Sequence, residues 1–166
     1  MSKLLVQDKK GELESVAKNL ILNEKTFKTL KNIVVLFVWR LGESARFDDE
    51  GRQIAATTRR LPTRERDIYG FDVEIEVFKQ SWRRLSTKKK KRLMWHELQH
   101  IEIEQGENFK IARDDDGRVV LHIRPHDVVI TAFEDELKKY GLANKDVPDV
   151  IILTKALKKR KKKKTA

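Results

Sequence analysis

His96-Glu97-Leu98-Gln99-His100 is the stretch of this chain whose residue types and spacing point most directly to chemistry. The residues around it read as helical, and on a helix positions i and i+4 project from one face, a turn apart. Two imidazoles so placed can bind one zinc ion, and the glutamate between them can serve as general base toward a water that the ion acidifies. A chance H-E-x-x-H in a chain of this length has a probability on the order of 0.5%, so the surroundings must decide. The chain has four histidines, His96, His100, His122 and His126, all within one 31-residue stretch.

A catalytic zinc normally has three protein ligands and one open position. His126 is the preferred third ligand. It follows a hairpin that carries the chain out and back, and it precedes a helix whose positive end disfavours imidazolium. Asp127 is the alternative, either as ligand or as the partner that orients one, and it also suits a simple N-cap. His122, in a strand over 118–124, shares a face with Val120 and Arg124 and suits a cross-strand role. Glu104 lies eight residues beyond His96, so on a continuous helix it stands roughly 12 Å up the axis, too far for the same ion.

The elements that must position these groups follow from the apolar pattern. Leu13, Val16, Ala17, Leu20 and Ile21 predict an amphipathic helix over 11–22. Residues 32–40 are β-branched and aromatic and read as a buried strand. The turn signal Asp48-Asp49-Glu50-Gly51 precedes a second strand over 52–61, and 59–67 reads as a charged loop containing Pro62. Residues 71–78 alternate, with Phe71, Val73, Ile75 and Val77 on one side and Asp72, Glu74 and Glu76 on the other, which predicts a half-buried antiparallel strand. A short helical turn over 79–85 would pack Trp82 inward. Ser86 is placed to cap a helix over 87–104 that carries the motif. Extended runs at 109–112 and 119–123 flank Asp114-Asp115-Asp116-Gly117, a hairpin signal. Pro125 opens another amphipathic helix that Gly141 would end, and Pro148 suits the first turn of a last helix over about 148–158.

At 166 residues, the chain reads as one domain over 1–157 followed by a polybasic tail over 158–166. The absence of cysteine excludes disulfides, thiolate metal sites and cysteine nucleophiles. The N-terminus turns polar too soon for a signal peptide, and the longest apolar run, Ile33 to Trp39, is far below membrane-spanning length. A soluble protein without a membrane partner is expected, in the cytoplasm. The formal net charge is +11. Lys155 to Ala166 holds eight basic residues and no acid, so the rest of the chain carries +11 − 8 = +3. Lys158, Lys159, Arg160, Lys161, Lys162, Lys163 and Lys164 form an uninterrupted block, expected to be disordered, that suits nonspecific phosphate contacts. Lys88 to Arg92 open the motif helix. Such a run is either a solvated face or an anion-binding surface.

Several blocks in order, Val38-Trp39-Arg40, Tyr69-Gly70-Phe71-Asp72-Val73-Glu74-Ile75, Trp82, Leu85-Ser86, the motif with Ile101, Arg124-Pro125-His126-Asp127-Val128 and Tyr140-Gly141-Leu142, resemble the phage metallopeptidases, small zincin-like proteins of viral and prophage genomes. The resemblance covers roughly residues 11–142. It implies an α+β minimal zincin-like fold, with a small mixed or antiparallel sheet packed against the motif helix and flanking helices. It further implies His96 and His100 as zinc ligands, Glu97 as catalytic base, and the Pro-His-Asp block at the site. If the protein is phage-encoded, its cytoplasm is the host's. The family's usual acidic residues after Asp127 are here Val128-Val129-Ile130, and the lysine tail lies outside the resemblance.

In zincins, an edge strand beside the cleft often binds substrate backbone by strand addition. The strand over 71–78 is the candidate here, with Asp72, Glu74 and Glu76 favouring a basic peptide; an ordinary solvated strand face is the plainer alternative. Three functions follow: a zinc metallopeptidase acting on protein or peptide, a DNA-associated protease similar to the SprT-like enzymes that uses the basic tail, and a non-enzymatic phage effector or nucleic-acid-binding protein on a zincin scaffold.

Overall fold

The structure, a computed structural model, describes residues 4–42, 46–47, 53–106, 108 and 110–125. The chain divides into two compact units, Met1–Pro125 and His126–Ala166, and the architecture that follows is that of the first. His126, Asp127, the expected helices after Pro125 and the block Lys158 to Lys164 lie outside the described residues. Among the described residues, no helix is long and apolar enough to cross a membrane.

The fold is α+β. Strand β1 (Leu4–Gln7) leads into helix α1 (Glu12–Asn23), a 3-10 helix (Lys25–Asn32) and β2 (Val35–Leu41). A small hairpin, β3 (Arg46–Phe47) with β4 (Gln53–Ile54), precedes β5 (Ala56–Arg60), α2 (Thr63–Tyr69), β6 (Val73–Phe78) and α3 (Lys79–Arg84). Helix α4 (Thr87–Gln99) carries the motif, and β7 (Ile101–Ile103) pairs antiparallel with β8 (Leu121–Ile123). The main sheet is mixed, in the order β1-β2-β6-β5, and only the β2–β6 pair is parallel.

Register fixes the two faces of this sheet. Phe37, Ile75 and Thr58 lie side by side across β2, β6 and β5, as do Trp39, Val77 and Ala56, so all six share one face. Helix α4 covers that face, because the Thr58 hydroxyl meets Glu97. Helix α1 packs beside α4 and buries Leu13, Ala17 and Leu20. Trp95 on α4 stacks edge-on against Phe27 at 4.7 Å, and Trp82 on α3 against Trp39 at 5.9 Å. Asp8 ties the layers together. One of its carboxylate oxygens accepts from the Leu13 amide at 2.7 Å, satisfying an orphan donor of the first turn of α1, and the other accepts from the Trp39 indole at 3.0 Å.

Three expectations from sequence are corrected. The alternation over 71–78 is real, but β6 lies inside the sheet and every residue of it is buried. Its charged face is covered by arginines. Arg59 holds Glu74 through two hydrogen bonds of 2.8 and 3.0 Å, and Arg40 meets Glu76 at 2.8 Å. The expected charged loop over 59–67 instead contains α2, entered after Pro62 and closed by Gly70 at φ 72°. The motif helix ends at Gln99, not 104, because Ile101-Glu102-Ile103 alternates buried, exposed, buried and starts a strand. That strand takes β8 as its partner. Ile111 and Arg113 make only single bridges, to Gln105 and Val119.

Candidate metal-dependent active site

His96 and His100 lie one turn apart at the C-terminal end of α4. Their ring centroids are 5.1 Å apart and their planes cross at 82°. A tetrahedral ion bonded to one nitrogen of each ring, at about 2.05 Å, holds two centroids roughly 5.2 Å apart. The pair therefore fits a shared ion without rearrangement of the helix. Among the described residues, no three His, Cys, Asp or Glu side chains cluster as a metal-holding group.

His100 is fixed by a backbone partner. Its Nδ1 lies 2.8 Å from the Arg124 carbonyl oxygen, which can only accept, so Nδ1 carries the proton. The tautomer with its proton on Nδ1 is the one typical of histidines that ligate a metal through Nε2. The Arg124 amide donates in turn to the His100 carbonyl oxygen at 2.9 Å. His100 caps α4, so its carbonyl lies beyond the helical ladder and is available to β8.

Glu97 is nearly fully buried, at 3% exposure. The Thr58 hydroxyl lies 2.7 Å from Glu97 Oε2 and 3.2 Å from the Glu97 carbonyl oxygen. The shorter contact is a hydrogen bond that fixes the Glu97 carboxyl against β5. Thr58 sits on β5, an outer strand of the main sheet, so one strand edge, one carboxylate and two imidazoles come together around the end of α4.

The remaining candidates lie elsewhere. Glu74 and Glu76 point to the sheet face away from α4, by alternation with Ile75. Asp72, at the start of β6, accepts from Arg66 at 2.6 and 3.1 Å and from the Val34 amide at 2.8 Å. The strand-addition expectation for Asp72, Glu74 and Glu76 is thereby corrected: both ladders of β6 are filled by β2 and β5, and all three carboxylates are engaged. His122 stands opposite Glu102 on β8, and Glu104 Oε2 accepts from its Nε2 at 3.0 Å in a surface pair. Glu104 is off the helix axis assumed from sequence.

Sequence reasoning missed Thr58 and the Arg124 carbonyl. A threonine in a strand carries no mark of what it will face, and a backbone carbonyl has no side-chain signature. The alternation of Ile101-Glu102-Ile103 was the available sign that the helix stops at His100.

No curated protein and no solved structure matches the chain. A family model described as "Putative phage metallopeptidase" matches residues 6–158. With nearly the whole length so matched, and with two imidazoles one turn apart and a braced carboxylate at the end of α4, the chain belongs to that phage metallopeptidase family.

Proposed function

We propose that the protein is a zinc-dependent peptidase that hydrolyses peptide bonds with Glu97 as general base. The observation that carries this reading is the buried Glu97 carboxylate, held at 2.7 Å by Thr58 between two histidines set one turn apart. A bound zinc would supply Lewis-acid polarisation of the scissile carbonyl and a lowered water pKa. His96 and the Nε2 of His100 would hold it, with the Arg124 carbonyl keeping the His100 ring in the correct tautomer. Glu97 takes the proton of the attacking water and then returns it to the departing amine. The Thr58 hydroxyl fixes the carboxylate for both transfers.

His126 is the proposed third ligand, with Asp127 as the alternative. Arg124, whose amide and carbonyl both bond His100, is only two residues before His126 in the chain. The outer strand β5 takes over the substrate-binding role expected of residues 71–78. It lies against α4 and β8 and is the last described strand of the main sheet, and an extended peptide would add beside it. The cytoplasm, the host's for a phage protein, remains the proposed location.

Glu97→Gln tests the assignment. The variant keeps one metal per chain by elemental analysis and loses hydrolysis of a fluorogenic peptide library by at least about 100-fold, the scale of general-base catalysis. Retained turnover would remove Glu97 from its role.

A further inference from the structure

We propose that the corner where α3 meets α4 is a binding face for nucleic-acid phosphates, separate from the peptidase site. From Val77 to His96, twenty residues contain eight cations and no acid. Arg83 and Arg84 end α3, and Lys88, Lys89 and Lys91 follow within the first turns of α4. All five side chains are exposed, and among the described residues none is ion-paired. Two neighbouring lysines have structural uses: Lys90 turns inward to Glu12 at 3.2 Å and lies over the Trp82 ring, and Lys79 lies over the Trp39 ring.

The fold does not account for Lys88, Lys89 and Lys91. Cations at a helix N-terminus oppose its dipole, and α4 has no acid in its first turn to offset them. The cap that Ser86 offers is long, at 3.4 Å to the Lys89 amide. An anionic partner would relieve this repulsion, and the helix's own positive end would add to its binding.

The chemistry of the face selects among polyanions. A protein partner generally needs an apolar core within its contact, and a helix that lies in a membrane surface inserts an apolar face. Here Trp82 is 1% exposed and Leu85 is half-buried, and the exposed groups are the five cations with Ser86 and Thr87. A surface on which charge outweighs apolar area suits a phosphate backbone, read without regard to sequence.

The test uses the full chain and a fluorescein-labelled 20-base-pair duplex of arbitrary sequence, followed by anisotropy from 50 to 200 mM KCl. In K88Q/K89Q/K91Q, the slope of log affinity against log salt falls by about 2.7, which is 0.9 for each of three contacts, and affinity at 100 mM drops at least about tenfold. The charge-preserving K88R/K89R/K91R variant restores binding, and the glutamine variant melts no lower than the parent, which separates lost contact from lost fold. Replacing Lys158 to Lys164 with glutamine leaves the slope due to the corner in place. Unchanged affinity and slope in K88Q/K89Q/K91Q would overturn the proposal. So would equal or tighter binding of polyglutamate, or of vesicles containing phosphatidylserine, to the same face.

Discussion

Thr58→Val is the sharpest probe of the proposed site. Valine nearly matches threonine in shape, so β5 keeps its pairing with β6, and only the hydroxyl that donates to Glu97 Oε2 at 2.7 Å disappears. A hydrogen bond to a charged group is worth about 1.5–3 kcal/mol. Glu97 is 3% exposed, so water cannot readily replace the donor. If that energy holds the carboxylate in position for proton transfer, kcat falls about 10- to 150-fold, at about 1.36 kcal/mol per decade. KM and metal content stay near wild type, because Thr58 touches neither histidine ring nor, in this reading, the bound peptide's side chains. Thr58→Ser restores kcat by returning the hydroxyl. Steady-state kinetics on a fluorogenic peptide, with elemental analysis of each variant, gives all three readouts. A kcat for Thr58→Val within twofold of wild type would refute the bracing role. Metal lost along with activity would show that Thr58 supports the fold of the site, not the base.

Other consequences can be checked separately. His126→Ala is expected to lose or weaken zinc binding while Asp127→Ala keeps it; the reverse pattern, read by elemental analysis, would transfer the ligand role to Asp127. Leu98 is fully buried on α4, so Leu98→Ala should cost about 2–5 kcal/mol in urea unfolding, with its midpoint lowered accordingly. The Trp82 indole, and secondarily Lys90 and Lys79, hold the Glu12 carboxyl below the ordinary carboxylate range. A depressed folded pKa contributes stability that is present above the ordinary range and lost as pH falls through the folded value. The stability gap between wild type and Glu12→Gln should therefore close on acidification from pH 7 to 3, and a gap independent of pH would discard this linkage.

The proximity of His96 and His100 was legible because i,i+4 spacing is a property of any helix, and the two rings needed only that helix to meet. Helix α1 was legible from its periodicity, and the buried β2 from its run of β-branched and aromatic residues. The β6 strand shows where such reading stops. A strand with Val73, Ile75 and Val77 on one face and Glu74 and Glu76 on the other looks half-solvated until Arg40 and Arg59 are known to cover the second face. Those arginines come from neighbouring strands, fifteen or more positions away, and nothing local announces them. Helix α2 was marked by Pro62 and Gly70, but its seven residues are too few for a periodic signal to outweigh their charge. Thr58 illustrates the general difficulty: its role comes from the pairing of β5 with β6 and of β5 with α4, both long-range facts.

The early end of α4 has a physical consequence for the site. Had the helix continued to 104, the His100 carbonyl would have been spent on a helical amide four residues on. Because the chain turns into β7 at Ile101, that carbonyl accepts from the Arg124 amide, and the Arg124 carbonyl accepts from His100 Nδ1. Two hydrogen bonds between the same two residues thus set both the backbone and the ring of one metal-competent histidine. They are extended by the β7–β8 ladder, in which Ile101 faces Ile123 and Ile103 faces Leu121. Leu121 is fully buried, so the hairpin is anchored in the core and not merely laid on the surface. The geometry of His100 is accordingly held by tertiary packing as well as by its helix, and a side chain held from two sides would lose less freedom on binding an ion.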